Sequence, residues 1–196
     1  MHMGKLERDF FDRDTLDVAR DLLGKYLVRR EGDLLLAGRI TETEAYVGRM
    51  DKACHAYGYR RTARTETLFA PPGTAYIYLI YGMYHCLNFV TEPAGEPAAV
   101  LLRGLEHALG AEEMARRRFG RGLDGLSAYQ RRHFLDGPGK VCMALGLTRA
   151  QNGLDLTGEE LFLWDDGSPV PAFRTGKRIG IDYAEEAADF PWRFYL

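Results

Sequence analysis

Two carboxylates lie two positions apart in a segment whose other residues are typical of a β-strand. The segment runs from Arg39 to Val47 and carries Glu42 and Glu44. Because strand side chains alternate between faces, both acids are predicted to share one face with Ile40 and Tyr46. An unpaired buried carboxylate is costly, so such a face either lines a solvated cleft or holds an acid with a perturbed pKa. Taken alone, the pattern favours a half-exposed strand whose acids lie in water.

Residues 75–88 place several tyrosines around a hairpin turn predicted at Gly82-Met83. Strand alternation puts Tyr76 and Tyr78 on one face and Tyr81 on the other. The preference of strands for aromatic residues explains the first two tyrosines without any function. Tyr81 lies beside the turn and is predicted to project from the hairpin tip. A bulky ring in that place suits insertion between stacked bases.

The composition indicates a globular protein. The chain has 196 residues, of which 46% are hydrophobic, so it is predicted to form one substantial core. Its first residues lack the apolar core of a signal peptide, and no stretch approaches the ~20 apolar residues of a membrane span. We therefore expect a cytoplasmic protein with no membrane partner. Cys54, Cys86 and Cys142 lack zinc-finger spacing, so we predict buried thiols and no metal site.

The net charge of −2 argues against a generally basic nucleic-acid-binding protein, but the basic residues are clustered. Residues 49–65 contain five basic residues and one acid (5 − 1 = +4), and residues 114–133 contain six and one (6 − 1 = +5). The compensating acids lie mainly near the start and in the last third of the chain. This asymmetry favours one positive face that engages phosphates, although two solvated basic segments would give the same pattern.

Hydrophobic periodicity and turn residues predict a mixed secondary structure. A helix capped by Asp14 or Thr15 is expected to end at Gly24, and two strands then meet at a turn over residues 31–33. Residues 48–73 show no period and are predicted to form a long functional loop. Further strands are predicted at 75–81, 84–90, 98–103, 161–164 and 178–181, and helices at 105–118, 126–135 and 141–145. The chain is therefore predicted to be one α+β domain around a largely antiparallel sheet.

Three isolated polar residues suit a nucleic-acid site. Asn88 carries a donor and an acceptor that suit a base edge, or equally an ordinary strand position. His55 has no serine or cysteine partner for nucleophilic catalysis, and a lone histidine is more often structural. The segment at 136–141 fails the phosphate-loop pattern, because Phe134 stands where the pattern needs Gly and Val141 where it needs Ser or Thr. The segment leaves Lys140 and free amides at a helix start, which suits a contact with a backbone phosphate.

Taken together, the motifs resemble those of the alkyladenine (3-methyladenine) DNA glycosylase family. The similar segments are ETEAY at 42–46, DKACHAYGYRRTARTETLF at 51–69, PPGTAYIYLIYGMYHCLN at 71–88, VLLRGLE at 100–106, GPGK at 137–140, RIGIDYA at 178–184 and PWRFY at 191–195. They keep the family's order from about Phe10 to the C-terminus. The resemblance implies a tail at 1–9 and one glycosylase domain at 10–196, with a curved, largely antiparallel sheet, surrounding helices and a protruding β-hairpin.

The resemblance also implies a reaction. A monofunctional enzyme of this family flips a damaged purine out of double-stranded DNA and hydrolyses its N-glycosidic bond, without a cofactor and without cleaving the strand. Glu44 matches the general base that activates water. Arg103 and the backbone carbonyl of Ile179 match groups that position this water. Tyr81 matches the residue that takes the place of the flipped nucleotide.

The remaining matches concern the damaged base and the DNA backbone. Four residues match family positions around the extruded base: Tyr46, His55, Tyr78 and Asn88. The position of Asn88 is the one that disfavours guanine. Positions near the DNA backbone are matched by Arg60, Arg64 and Lys140. Tyr59, Ala63 and Ala187 depart from the family pattern, so the lesion preference stays open. We expect a monomer that is associated with the nucleoid if the source is bacterial.

General physical arguments agree with these roles. Flipping costs a few kcal/mol, and stacking on aromatic rings returns about 1 to 3 kcal/mol per base. No lysine stands at a matching position to form a Schiff base with the sugar. Two rival classes are a nucleoside or nucleotide hydrolase, which would not need Tyr81, and a non-catalytic nucleic-acid-binding module, which would not need Glu44. Glu42 is either a second acid that tunes Glu44 or, as we favour, a structural carboxylate paired with an arginine.

Overall fold

The computed structural model describes residues 3–196, which form one antiparallel sheet with helices packed on one face. Its strands are β1 (Gly4–Lys5), β2 (Tyr26–Glu31), β3 (Leu34–Val47), β4 (Ala75–Ile80), β5 (Tyr84–Val90), β6 (Ala98–Leu109), β7 (Leu161–Asp165), β8 (Arg174–Gly176) and β9 (Arg193–Tyr195). The main path runs β1-β7-β2-β3-β6-β5-β4, while β9 pairs with β3 and β8 pairs with β9. The predicted α+β class with a largely antiparallel sheet is confirmed.

The helices are short and their ends follow the expected capping chemistry. They are α1 (Arg8–Phe11), α2 (Thr15–Asp21), α3 (Ala111–Phe119), α4 (Ala128–Arg132) and α5 (Pro138–Leu145). The side chain of Asp14 accepts the N–H groups of Leu16 and Asp17 at 2.9 and 3.3 Å, so it is the predicted cap of α2. Gly24 follows that helix with a φ of 85°, which glycine adopts without strain. Within residues 3–196, no helix is long and apolar enough to cross a membrane.

The two faces of the sheet have different coverings. On one face, strand residues such as Ile77, Phe89 and Leu102 belong to the main core together with Val18 of α2 and Leu145 of α5. Each such buried side chain contributes about 1.5 to 3 kcal/mol of hydrophobic stabilisation. The alternate residues of the same strands point to the opposite face. That face is covered by chain segments with little regular structure, and the candidate site lies there.

Those segments are the loop at 48–73 and the chain between β8 and β9. The loop contains only two short 3-10 helices, Tyr57–Tyr59 and Glu66–Phe69, in agreement with its lack of sequence period. Leu68 and Phe69 pack with Tyr76 in a small cluster on this face. Residues of the C-terminal segment form another cluster with the loop residue Ala53. The sheet is therefore a rigid support for two irregular walls.

Three predicted elements differ from the structure. The helix predicted at 105–118 is wrong over its first turn, because β6 continues to Leu109 in register with the long strand β3. The helix predicted at 126–135 is reduced to α4, which the capping box of Ser127 and Gln130 starts. The strand predicted at 178–181 is absent, because this segment is held by side-chain contacts and not by a ladder. Alternation of Arg, Ile and Gly resembled a strand pattern there.

The tail predicted at 1–9 stays a prediction, and its residues 1–2 lie outside the described part of the chain. Gly4–Lys5 pair with β7, and Leu6 lies in the main core. The Arg8 guanidinium donates to the Pro72 carbonyl at 2.6 Å. Residues 4–9 therefore pack against the domain, while its boundary at residue 10 stays a prediction.

The acidic part of β3 contains irregularities that change the predicted alternation. Register shifts against β6 occur between Ile40 and Glu42 and between Glu42 and Thr43. As a result Ile40 lies in the main core together with Ala45, five positions away. The prediction that Ile40 shares the face of the two acids is wrong, since a bulge exchanges the faces of a strand. Glu44 and Tyr46 keep the predicted common face.

Candidate active site

A cavity of about 390 Å3 opens on the face of the sheet opposite the main core. Alternate residues of neighbouring strands form its floor, including Tyr78 of β4, Asn88 of β5 and Arg103 of β6. The loop at 48–73 contributes His55 and the C-terminal segment contributes Ile179. The volume lies in the range of roughly 300 to 1,000 Å3 that is usual for small-ligand sites.

Glu44 lies directly behind the wall of this cavity and has 0% exposed surface. Its Oε2 accepts the hydroxyl of Tyr46 at 2.7 Å, and its Oε1 accepts the backbone N–H of Ile179 at 2.8 Å. The Nε of Arg103 lies 3.5 Å from Oε1. The interpretation of this strand as half-exposed, with its acids in water, is therefore wrong for Glu44. All three of its partners line the cavity.

The pKa of Glu44 is raised above its ordinary value, because burial removes the carboxylate from water. The positive charge of Arg103 and the hydrogen bonds from Tyr46 and Ile179 oppose this rise, so part of it is offset. Burial also raises the pKa of Tyr46, which keeps its hydroxyl neutral and able to donate. The arrangement is typical of an acid that is held in one orientation and has a perturbed pKa.

Glu42 lies between two arginines. Its Oε1 is 3.4 Å from the Nε of Arg103 and 3.6 Å from the Nε of Arg193. The carboxylate is partly exposed, unlike that of Glu44. Its charge raises the pKa of Glu44, but less than burial does. The contacts support the structural role that we favour, and its part in catalysis stays a prediction.

Three aromatic residues form one wall of the cavity. The Nδ1 of His55 lies 3.1 Å from the hydroxyl of Tyr76, and its ring meets the ring of Tyr78 edge to face with centroids 4.6 Å apart. The pKa of His55 is lowered to about 4 by its burial and by the positive charge of Arg64. His55 is thus neutral at pH 7 and offers hydrogen bonds without a charge. From the sequence, strand preference alone explains Tyr76. In the structure Tyr76 shares the face of Tyr78 and contacts His55.

Asn88 is buried in the floor of the cavity. Its amide nitrogen donates to the carbonyls of Tyr76 and Cys86 at 3.1 and 3.4 Å. Because both bonds use the nitrogen, the amide has one orientation relative to the cavity. Cys86 lines the cavity beside it, and Cys54, Cys86 and Cys142 are all free and buried, as predicted.

Tyr81 is at the tip of the β4–β5 hairpin and is 81% exposed. Ile80 and Tyr84 are the last paired residues, so Tyr81, Gly82 and Met83 form a three-residue loop. Tyr81 has a φ of 54° and Gly82 a φ of 72°. This left-handed pair ends the strand alternation. Tyr81 therefore lines the same cavity as Tyr78, and the prediction of opposite faces is wrong.

Two of the three predicted DNA-backbone residues, Arg64 and Lys140, lie beside the cavity or its adjoining groove. Arg60 and Arg64 are exposed on the loop, and the Arg64 guanidinium lies 5.4 Å from the centroid of the Tyr78 ring. Lys140 lies in the first turn of α5 and forms an ion pair of 2.6 Å with Asp136. It lines a groove of about 590 Å3 on the other side of Tyr81, which adjoins the cavity.

The two basic clusters are more neutralised than the sequence indicated. Ion pairs join Arg49 to Glu92, Lys52 to Glu185 and Glu186, Arg61 to Glu66, Arg116 to Glu112 and Glu113, and Arg117 to Glu31 and Glu113. Acids that are distant in sequence, such as Glu185, are therefore partners of the first cluster. Arg60 and Arg64 form no ion pair with any residue in the described range 3–196. These ion pairs argue against a uniformly positive face.

The structure brings most of the predicted site residues together. Those that line the cavity are Tyr46, His55, Tyr78, Tyr81, Asn88, Arg103 and Ile179. Sequence reasoning missed Asp51 and Arg178, which form a buried ion pair beside the site, because nothing in their spacing relates them. Within residues 3–196 no three metal-ligating side chains converge, and the absence of a cofactor stays a prediction.

The site thus combines a buried acid of raised pKa with a cavity lined by aromatic side chains and a protruding tyrosine. The sequence model of methylpurine-DNA glycosylase (MPG) matches residues 9–196. The chain belongs to this family and is a DNA glycosylase, a hydrolase of DNA repair.

Comparison with curated proteins gives the same family. The chain is 53% identical over 195 residues to a protein of Clostridium perfringens (strain SM101 / Type A), covering 98% of this chain and 95% of the relative. It is 52% identical over 192 residues to a protein of Alkaliphilus oremlandii (strain OhILAs), with 98% and 95% covered. Both relatives carry the provisional name 3-methyladenine DNA glycosylase.

Proposed function

We propose that the protein hydrolyses the N-glycosidic bond of alkylated or deaminated purines in double-stranded DNA, with Glu44 as the base that activates water. The observation that carries the proposal is the position of Glu44, which is fully buried yet bonded to Tyr46 and Ile179 in the cavity wall. A carboxylate kept out of water at a cost in stability is more typical of a catalytic group than of a structural one.

The cavity suits a purine that has left the duplex. Tyr46 lies in one wall and His55 and Tyr78 lie in another, so an extruded base is enclosed by aromatic rings. A base inside a duplex is out of reach of such a cavity, so the enzyme must flip it. Tyr81 projects beside the opening and takes the space that the flipped nucleotide leaves. Damaged purines pair badly or carry positive charge, which favours their extrusion and their stacking on electron-rich rings.

The hydrolysis needs one base and no covalent intermediate. Each oxygen of Glu44 accepts one hydrogen bond and has a second lone pair, but the side chain has no exposed surface. The proposal therefore requires that bound DNA shift the cavity wall so that a water molecule reaches the carboxylate. Water loses a proton to Glu44 while its oxygen bonds to C1′ of the sugar, and the electron pair of the glycosidic bond leaves with the purine. The carboxylate also favours the positive charge that develops on the sugar. Arg103 and the Ile179 carbonyl position the water in this proposal.

The reaction is proposed to be monofunctional. Strand cleavage by a glycosylase requires an amine that forms a Schiff base with the sugar. As far as residues 3–196 define it, the lining of the main cavity contains no lysine. Lys140, in the adjoining groove, forms an ion pair with Asp136 and suits a phosphate better than an aldehyde. We propose that the enzyme acts as a monomer, at the nucleoid in a bacterial cell.

The test is base release from duplexes that each carry one hypoxanthine or one 3-methyladenine, measured with enzyme in excess. The proposal requires release of the free base by the wild-type protein, an intact sugar-phosphate strand before alkali treatment, and loss of release in Glu44→Gln. Binding without release favours a non-catalytic module. Release from free nucleosides alone favours a small-molecule hydrolase. Equal rates for wild type and Glu44→Gln would contradict the mechanism, and a panel of single lesions would rank the substrates.

A further inference from the structure

Arg178 and Asp51 form a fully buried ion pair behind the cavity. The Nη1 and Nη2 of Arg178 donate to the two oxygens of Asp51 at 2.5 and 2.8 Å, and both side chains have 0% exposed surface. Asp51 also accepts the N–H groups of Val47 and Ala53 at 3.3 and 2.9 Å. The pair thus joins the C-terminal segment to the start of the loop that carries His55.

The same guanidinium contacts the strand that carries the proposed base. Its Nη1 donates to the carbonyl of Ala45 at 2.8 Å, and its Nη2 donates to the carbonyl of Ala187 at 3.0 Å. Its central carbon lies 4.7 Å from the centroid of the Tyr46 ring. Ala45 is the residue between Glu44 and Tyr46. Arg178 therefore fixes the backbone of β3 at the point where both functional side chains originate.

The sequence neighbour of Arg178 completes the arrangement. Ile179 follows it directly, and the N–H of Ile179 is the one that bonds Glu44 at 2.8 Å. Because 178–181 is not part of a ladder, no strand pairing holds this amide in place. The Arg178 side chain therefore anchors the segment beside Glu44, together with the packing of Ile181 against Ala53.

We propose that Arg178, held by Asp51, is a positioning residue: it keeps the Ile179 amide on Glu44 and the Tyr46 ring against the cavity as one rigid unit. The proposal rests on the proposed function for its effect on rate. Buried ion pairs can often be replaced by apolar residues with little loss of stability, or with a gain. Stability alone is therefore a poor explanation of this pair, and its two contacts with the catalytic strand supply a better one.

A positioning role of Arg178 predicts an effect on the pKa of Glu44, which a purely structural ion pair does not. Charged or titratable side chains from five strands face Glu44. They are Glu42 and Tyr46 of β3, Tyr78 of β4, Cys86 of β5, Arg103 of β6 and Arg193 of β9, which pairs opposite Glu44. The Ile179 N–H is the partner from the C-terminal segment, and its hydrogen bond lowers the pKa of Glu44. If Arg178 no longer anchors Ile179, this bond weakens and Glu44 stays protonated to a higher pH.

The experiment compares Asp51→Asn/Arg178→Met, Arg178→Lys and the control Arg29→Met. The double variant removes both charges, so no buried charge is left alone. Arg178→Lys keeps the charge but lacks the planar fork. Arg29 is also a buried arginine with two carboxylate partners, but it lies on β2 outside the cavity lining. We expect single-turnover base release to fall on the order of 100-fold in the double variant, less in Arg178→Lys, and to stay unchanged in Arg29→Met.

A second readout does not depend on activity. The carboxyl 13C resonance of Glu44, assigned by its loss in Glu44→Gln, is titrated in each folded variant. We expect the midpoint to move to higher pH in both Arg178 variants and to stay in place in Arg29→Met. A midpoint and a rate equal to those of the wild type would overturn the proposal, as would lower stability with an unmoved midpoint. If the wild type releases no base, the proposed function fails and the titration alone decides the role of Arg178.

Discussion

The backbone N–H of Ile179 donates to the carboxylate of Glu44 over 2.8 Å, although 135 positions separate the two residues. This contact closes the C-terminal segment over the strand that carries the proposed base. Glu44 is thereby held from the side of β3 by Tyr46, from β6 by Arg103 and from the C-terminal segment by Ile179. Because three separate contacts hold the Glu44 carboxylate, the effect of replacing each partner can be predicted.

The first prediction separates the two acids of β3. Glu44→Gln removes the base and is expected to slow single-turnover base release by about 100- to 10,000-fold. Glu42→Gln is expected to slow it less than about 10-fold, because Arg103 keeps Glu44 as a partner. Both rates are measured on the same hypoxanthine duplex under enzyme excess. Equal and severe losses would show that Glu42 is a second catalytic acid.

The second prediction concerns the pH dependence of the reaction. Only ionised Glu44 accepts a proton from water, and its pKa is raised above the ordinary value of 4.5. The single-turnover rate is therefore expected to fall as the pH decreases, with a midpoint above 4.5. Arg103→Leu removes a charge that lowers the pKa of Glu44, so the midpoint moves to higher pH.

His55→Gln is the control for this profile. The pKa of His55 is lowered to about 4 while that of Glu44 is raised above 4.5, so His55 loses its proton at a lower pH than Glu44 does. The substitution is expected to lower the rate by weaker contact with the base, and to leave the midpoint in place. If the midpoint of the pH profile changes in His55→Gln, the fall in rate at low pH does not report the ionisation of Glu44.

The third prediction concerns the hairpin tip. Tyr81 is 81% exposed and contributes little to the core, so Tyr81→Ala is expected to leave the melting temperature unchanged. The wedge is needed only when a base must leave a stacked duplex. The variant should therefore lose most base release from a paired lesion and little from the same lesion in a single strand. The measurement is the ratio of the base-release rates on duplex and single-stranded DNA. A ratio equal to that of the wild type would mean that Tyr81 does not help the base to leave the duplex.

Much of the site was predictable because its chemistry lies in continuous segments. The alternation of β3 placed Glu44 and Tyr46 on one face, and the family resemblance gave them their predicted roles. The turn at Gly82 predicted the exposed Tyr81. Strand alternation failed where the strand is irregular: the register shifts near Glu42 moved Ile40 to the core, and the left-handed backbone of Tyr81 brought its ring to the cavity. Such local deviations depend on partner strands, which the sequence alone does not reveal.

Pairing between distant segments was the other source of error. Lys52 bonds Glu185 and Glu186, so a cluster that is basic in sequence is partly neutral in space. Arg178 and Asp51 are separated by most of the domain, and only the fold makes them partners. A single sequence carries local preferences, whereas charge pairing across the chain is a property of the folded structure.

The fourth prediction tests which basic residues contact phosphates. Each phosphate contact contributes about 0.9 to the slope of log binding constant against log salt concentration. Arg64→Ala and Arg60→Ala are each expected to lower the slope for undamaged duplex by about one contact. Arg61→Ala is the matched control, because Arg61 is equally exposed but occupied by Glu66 at 2.6 Å. Equal slopes for all three variants and the wild type would mean that neither Arg60 nor Arg64 contacts a phosphate.

The fifth prediction concerns the cost of holding Glu44 in the core. Its folded-state pKa is raised, so the folded protein binds this proton more tightly than the unfolded chain does. The stability of the wild type therefore decreases as the pH rises from the unfolded pKa near 4.5 through the raised folded pKa. Glu44→Gln carries no charge and is expected to melt at a higher temperature at pH 7. Each kcal/mol gained corresponds to about 2 to 4 °C for a domain of this size.

The same variant supplies its own control at low pH. Below pH 4.5 the wild-type carboxyl is protonated in both states, so the difference in melting temperature between the wild type and Glu44→Gln should shrink. Melting is followed by calorimetry at pH 4, 5.5 and 7. Glu42→Gln, which alters a partly exposed acid between two arginines, should show no such gain. A Glu44→Gln protein that is less stable than the wild type at pH 7 would mean that the bonds to Tyr46, Ile179 and Arg103 outweigh the burial of the charge.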